Sequence, residues 1–136
     1  SRRRRVTLVP SPDDALARRL VAEADLFLAP APWGESFGLV LIEAMAAGLP
    51  VLTTDCAWVP RLVADGAGIV VPVGDAEAFA AGLKKLADNP ALRQRMGAAG
   101  RDLVLSRHTW PASAEKLLRL YRSLLARSVS SGSAGG

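Results

Sequence analysis

Short apolar runs of strand length alternate along this chain with segments whose apolar residues recur every three or four positions. Val6–Val9, Leu26–Ala29, Val51–Thr54 and Gly68–Val71 are the strand-like runs. After the first of them, Ser11 as N-cap, Pro12 at the first helical position and the acids Asp13 and Asp14 predict a helix start. Ala17, Leu20, Val21 and Ala24 then define one packed face. A second helix is predicted from about Gly38 to Ala47, with Gly48 as a left-handed C-cap and Pro50 blocking continuation. A short turn or helix follows at Val59–Val63. Asp75 caps a helix lined by Phe79, Leu83 and Leu86, and Asn89-Pro90 ends it and starts another, which carries Leu92, Met96 and Leu103 to about Ser106. Thr109 caps a last helix with the stripe Leu117, Leu118, Tyr121, Leu124 and Leu125. Strands alternating with helices predict an α/β, Rossmann-like parallel sheet with helices on both faces. Such sheets bind ligands at the carboxyl ends of their strands.

The stretch GESFGLVLIEAMAAGLPV lies at such a strand end. Eight of the nine residues from Leu39 to Ala47 are apolar, and the ninth is Glu43. A helix apolar on nearly every side is expected to be buried. A carboxylate inside it then calls for hydrogen-bond donors. Glu35 precedes the helix, seven residues before Glu43 counted between the two. Gly38, without a Cβ, lets a ligand approach the backbone at the first turn. The first N–H groups of a helix favour anions such as phosphate. A phosphate seat at the tip and a carboxylate further in suit a nucleoside diphosphate carrying a polyhydroxyl group. Either glutamate alone is more simply read as a surface acid; the combination carries the functional reading.

This stretch resembles the E-x7-E donor-site motif of retaining GT-B glycosyltransferases, with Glu35, Phe37, Gly38, Leu39, Glu43, Ala44, Met45, Ala46, Gly48, Pro50 and Val51 in register. The resemblance runs from about Val6 to about Leu125 and implies part of the C-terminal, donor-binding domain of a GT-B fold. It implies a transferase that moves a sugar from a nucleotide-sugar to an acceptor with retention of configuration, without a metal or other cofactor. Glu35 is then the catalytic residue, touching hydroxyls of the transferred sugar. Glu43 accepts hydrogen bonds from the ribose, the N–H groups of Gly38 and Leu39 hold the distal phosphate, and Phe37 shapes the loop. The family's Arg and Lys that face the diphosphate have no match here, and Arg2–Arg5 do not stand in for them. The acceptor-binding N-terminal domain is a missing partner. Where the family often has Gly-Gly and then Glu, this chain has Ala57-Trp58 and then Arg61; Trp58 narrows the space beside the donor or simply packs. An alternative is a nucleotide-binding or interaction module derived from a glycosyltransferase and inactive alone. In the family the last helix crosses to the other domain, which implies exposed apolar surface here.

Composition narrows the picture further. The 136 residues suffice for one domain with a core, and half of them are hydrophobic. The net charge of +4 resides in Arg2–Arg5, because the remainder holds 13 basic and 13 acidic residues. The expected division is a basic segment at 1–5, a domain at 6–127 and a disordered tail at 128–136. No aromatic residues interleave with the arginines, so the cluster reads as a solvated segment and nucleic acid is not an expected partner. Cys56 is the single cysteine, which excludes an internal disulfide and makes a cytoplasmic location the expectation. His108 is the single histidine and has no companion at metal-ligand spacing. Peripheral contact with a membrane surface is compatible with this sequence, which contains no run of bilayer length. The G-x-G-x-x-G dinucleotide fingerprint is absent.

Overall fold

The computed structural model describes residues 6–31, 38–56, 59–63 and 66–132, with side chains through Arg127. Three short strands, β1 (Phe27–Ala29), β2 (Val51–Thr54) and β3 (Gly68–Val71), form a parallel sheet in the order β1-β2-β3. Phe27 pairs with Val51, and Val51 in turn with Gly68, so the strands start in register. Central β2 is buried along its whole length, as its run of β-branched and aliphatic residues requires. Successive side chains of a strand point to opposite faces. Val51 therefore joins one core, with Leu41, Met45, Val59, Leu62 and Leu103, while Leu52 joins a second core with Val71 and Leu86.

Six helices accompany the sheet among the described residues. The first core lies under α2 (Leu39–Ala46), α3 (Val59–Leu62) and α5 (Pro90–Arg107), and the second under α4 (Ala76–Ala87). Caps fall where polar residues precede each helix. Asp75 accepts from the Ala78 amide at 2.8 Å, Asn89 from Leu92 at 2.9 Å, and Thr109 from Ala112 at 3.3 Å. Each satisfies an amide that the helix itself leaves unpaired.

Four expectations are corrected. Val6–Val9 forms no strand, and Val6 and Leu8 are exposed. A strand needs a ladder partner, and no described residue supplies one. The first helix, α1 (Asp14–Glu23), is capped by Asp13, which accepts from Leu16 at 2.7 Å; Ser11 instead adopts a positive φ of 50°. The α1 face is thinly packed: Ala17 and Val21 are half-buried, while Leu20 and Ala24 are exposed. Finally, α6 (Trp110–Gly132) runs into the segment expected to be disordered from residue 128. Once a helix is nucleated, each added residue gains a hydrogen bond, so Ser-rich sequence can extend it. The stripe of α6 is exposed, as expected: Leu117, Leu118, Tyr121, Leu124 and Leu125 are each about half accessible or more.

Helix α5 lies directly on the end of α2. A Cβ at Gly97 would stand 2.0 Å from the carbonyl oxygen of Gly48, and one at Gly100 3.2 Å from Met45 Cγ. Arg101 Nη1 donates to the Ala46 carbonyl at 2.5 Å and so occupies one of the acceptors left open at the C-terminus of α2. Gly97→Ala is expected to destabilise the chain by about 1–3 kcal/mol through overpacking against backbone, measured as a fall in denaturant midpoint followed by circular dichroism.

His108 closes α5, donating its amide to the Val104 carbonyl at 2.9 Å. Burial pushes its pKa below the usual imidazole value, and the nearby charges of Lys116 and Arg107 add to the effect. The unfolded chain therefore binds a proton more readily than the folded one. The contribution of His108 is fully present above the unfolded pKa, near 6.5, and declines as pH falls below it. Thermal melts between pH 7.5 and 5 should show a decrease that His108→Gln reduces.

Candidate functional site

The site is built at the crest of the sheet, where β1 and β2 end. Thr53 Oγ1 donates to the Ala29 carbonyl at 3.0 Å, and Thr54 Oγ1 to the Ala31 carbonyl at 2.6 Å. Both threonines are buried, so these bonds form away from water and fix the backbone leaving β1. Asp55, next along, accepts from the Val73 amide at 2.8 Å and ties the end of β2 to the turn after β3. Sequence reasoning missed this arrangement. The available signal was two hydroxyl-bearing residues at the end of an otherwise aliphatic central strand.

Gly38 is the N-cap of α2, with φ 79° and ψ 42°, and its carbonyl accepts from Leu41 at 2.9 Å and Ile42 at 3.2 Å. The left-handed conformation favours glycine. Space requires it as well, since a Cβ would lie 3.1 Å from Leu62 Cδ2 and 3.2 Å from Leu41 Cδ1. Leu39 is the first helical residue, and the leading amides of α2 have no intrahelical acceptor. At the other end Gly48, with φ 79°, donates to Met45 at 2.9 Å, and Leu49 donates to Ala44 at 3.0 Å. These two bonds constitute a Schellman turn. Helix α2 is thus held at both ends by left-handed glycines.

Burial of α2 differs from expectation. Leu41, Ala44 and Met45 are buried, but Leu39 is 64% and Val40 45% exposed, and Glu43 is exposed beside them. The sheet and α5 cover one side of α2 only. Glu43 therefore lies on an open face and needs no donor to offset burial. Among the described residues its carboxylate has no hydrogen bond or ion pair. It lines a cleft of about 490 Å³ between α1 and α2, shared with Asp14, Ala17, Arg18, Val21, Ala22 and Ala47. The floor is apolar and the walls carry charge. A second, mainly apolar cavity of about 450 Å³ opens at the strand ends on the α4 side, beside Pro30, Thr54, Pro72 and Phe79.

Of the residues expected at the site, Gly38, Leu39 and Glu43 lie on one helix, with the glycine at its tip and the carboxylate on its open side. Glu35, Phe37 and Trp58 lie outside the described residues. Arg61 lies on α3, exposed. No group of three His, Cys, Asp or Glu side chains that could hold a metal occurs among the described residues. No described helix is long and apolar enough to cross a membrane.

A parallel sheet with a glycine-capped helix opening at its carboxyl edge, and an acid and an arginine sharing the cleft behind, belongs to the open α/β class, whose ligands bind at the strand ends. Residues 3–103 match the family described as glycosyl transferases group 1, and the chain belongs to that family. It is 42% identical over 113 residues to a phosphatidyl-myo-inositol mannosyltransferase of Mycobacterium leprae, covering 82% of this chain and 30% of the relative. It is 38% identical to a D-inositol 3-phosphate glycosyltransferase of Corynebacterium diphtheriae, covering 84% of this chain and 26% of the relative. The solved sucrose-phosphate synthase of Thermosynechococcus elongatus superposes with a TM-score of 0.78 at 33% identity, over 90% of this chain and 31% of that one. The fold is of the GT-B type, and the chain spans less than a third of the length of these relatives.

Gly38→Ala should cost about 1–2 kcal/mol from the left-handed backbone alone, with further loss from the contact with Leu62. The measurement is a melting curve compared with wild type, and an unchanged midpoint would remove the claim that this cap needs glycine.

Proposed function

We propose that this chain forms part of the donor-binding side of a glycosyltransferase that uses a nucleotide-sugar and retains anomeric configuration. The single observation carrying this reading is the placement of Gly38 and Glu43 on one helix whose open side faces a cleft. Five residues of helix separate them by about 7.5 Å along the axis, a separation a diphosphate can span. In this reading the leading amides of α2, Leu39 among them, hold the distal phosphate. Preorganised N–H groups there offset the negative charge that grows as the diphosphate departs. Glu43 accepts from the ribose hydroxyls, and charge-assisted bonds of this kind are among the stronger ones. Glu35 contacts the transferred sugar. The bond from the anomeric carbon to the diphosphate oxygen breaks, a bond to an acceptor oxygen forms, and the acceptor's proton passes to the departing diphosphate. This chemistry calls on no metal or other cofactor. The activities of the relatives make a mannosyl donor and an inositol-containing acceptor the first substrates to test.

A second reading, an interaction module without its own activity, draws on the exposed leucines of α6. Nucleotide binding separates the two. Calorimetric titration of the chain with nucleoside diphosphates should show binding that Glu43→Gln weakens by about ten-fold, with an unchanged far-UV spectrum. Equal affinity in the variant and wild type would remove Glu43 from the site.

A further inference from the structure

The stretch of chain that builds the sheet carries a single cationic side chain, and it stands beside the tip of α2. Residues 20–83 include all three strands, α2 and α3, and Arg61 is the one lysine or arginine among them. The same stretch is well supplied with acids, Glu43, Asp55 and Asp75 among them. Helix α3 starts just beyond β2, where the Val59 amide donates to the Cys56 carbonyl at 3.1 Å. Arg61 therefore lies within one turn of the carboxyl edge of the sheet. Val59 and Leu62 are buried and anchor α3, while Arg61 is exposed. Leu62 is turned to the tip of α2, since its Cδ2 would stand 3.1 Å from a Cβ at Gly38. Adjacent helix positions are about 100° apart, so Arg61 stands next to the side of α3 that meets α2, not opposite to it. An arginine there has the length to reach the space before the leading amides of α2.

We infer that Arg61 is a further donor-binding residue, engaging the distal phosphate of the nucleoside diphosphate from the α3 side; this rests on the donor-site reading given above. The amides at a helix tip together act as roughly half a positive charge. A diphosphate carries more negative charge than that, so the tip alone leaves most of it unbalanced. A guanidinium stays charged at any working pH and presents a planar fork of donors that matches phosphate oxygens bidentately. It is also more weakly hydrated than an ammonium, so it gives up less on leaving water. The order along α2 sets which phosphate it meets. Glu43 lies further along the helix and takes the ribose, so the phosphate nearest Gly38 and α3 is the distal one. Where the family often has a glutamate, this chain thus places a cation at the strand ends from its own residues.

The test is calorimetric titration of the full chain with GDP, GMP, UDP and UMP, in wild type, Arg61→Ala, Arg61→Lys, Lys85→Ala and Glu43→Gln. Arg61 and Lys85 are exposed, so their variants are expected to retain the wild-type far-UV spectrum. Arg61→Ala should weaken GDP and UDP by about ten-fold. It should leave GMP and UMP nearly unchanged, because a monophosphate lacks the group that Arg61 meets. Arg61→Lys should retain part of the diphosphate affinity, since an ammonium binds phosphate as a point charge. Lys85→Ala removes the same charge from α4, on the other face of the sheet, and should change nothing. Equal losses for mono- and diphosphates in Arg61→Ala, or an unchanged diphosphate affinity, would overturn the inference. So would a loss in Lys85→Ala as large as that in Arg61→Ala, which would reduce Arg61 to general charge. Glu43→Gln tests the underlying reading and should weaken all four nucleotides alike. Indifference of all four to Glu43→Gln would bring down the ribose assignment, while a diphosphate-selective loss in Arg61→Ala would still support Arg61 at the phosphate.

Discussion

The contact between α5 and the turn that ends α2 governs the rest of this structure. Gly97 lies against the Gly48 carbonyl with no room for a Cβ, and Gly100 lies over Met45. Close helix approach of this kind trades side-chain bulk for backbone contact, and it removes slack. The Schellman bonds at Gly48 and Leu49 stop α2 at a defined residue, and Arg101 engages the carbonyl of Ala46. At the opposite end Gly38 adopts a left-handed conformation between Leu62 and Leu41, with little room for a Cβ. A helix of eight residues is too short to be stable by itself. It owes its position to these two ends and to the buried side of Leu41, Ala44 and Met45.

That restraint supports the proposed site chemistry. An anion seat made of amides is useful only if the amides do not move when charge develops, since reorganisation would consume the stabilisation they give. The carboxylate of Glu43 is different in kind. It is exposed and takes its orientation from the helix and the cleft, not from a buried hydrogen bond. A ligand covering it would remove water from both partners and strengthen the bond between them. Site and fold thus divide the work, with rigidity supplied behind α2 and access in front of it.

Much of this arrangement was legible in the sequence, for identifiable reasons. Asp75, Asn89-Pro90 and Thr109 are local signals acting within four residues, and the structure uses each as read. Gly48 before Pro50 announced the end of α2 in the same way. The errors fell where a segment depends on what lies across from it. Val6–Val9 has a strand's composition but no described partner. Apolar Leu39 and Val40 suggested a helix buried on every side, whereas the structure covers one side. Apolar composition gives a side chain's preference, and the surroundings decide whether it is met. The hydroxyl bonds of Thr53 and Thr54 were illegible for a similar reason. They join residues 24 and 23 positions apart, and no local pattern encodes the carbonyl they reach. Glu35 and Phe37, the other half of the motif, lie outside the described residues.

The edge of the sheet gives the hydroxyl bonds of Thr53 and Thr54 a further meaning. Strand β1 has only three residues, and among the described residues it pairs on one side alone, with β2. A strand held by a single ladder is free to slide or fray, and parallel pairing gives it less per residue than antiparallel pairing would. The two threonines act as an extra rung at the place where the ladder runs out. They fix the length of β1 as well as its neighbour, so the chain departs toward the site from one defined residue. Replacing hydroxyl by methyl at either position would preserve the shape of β2 and still let that point of departure drift.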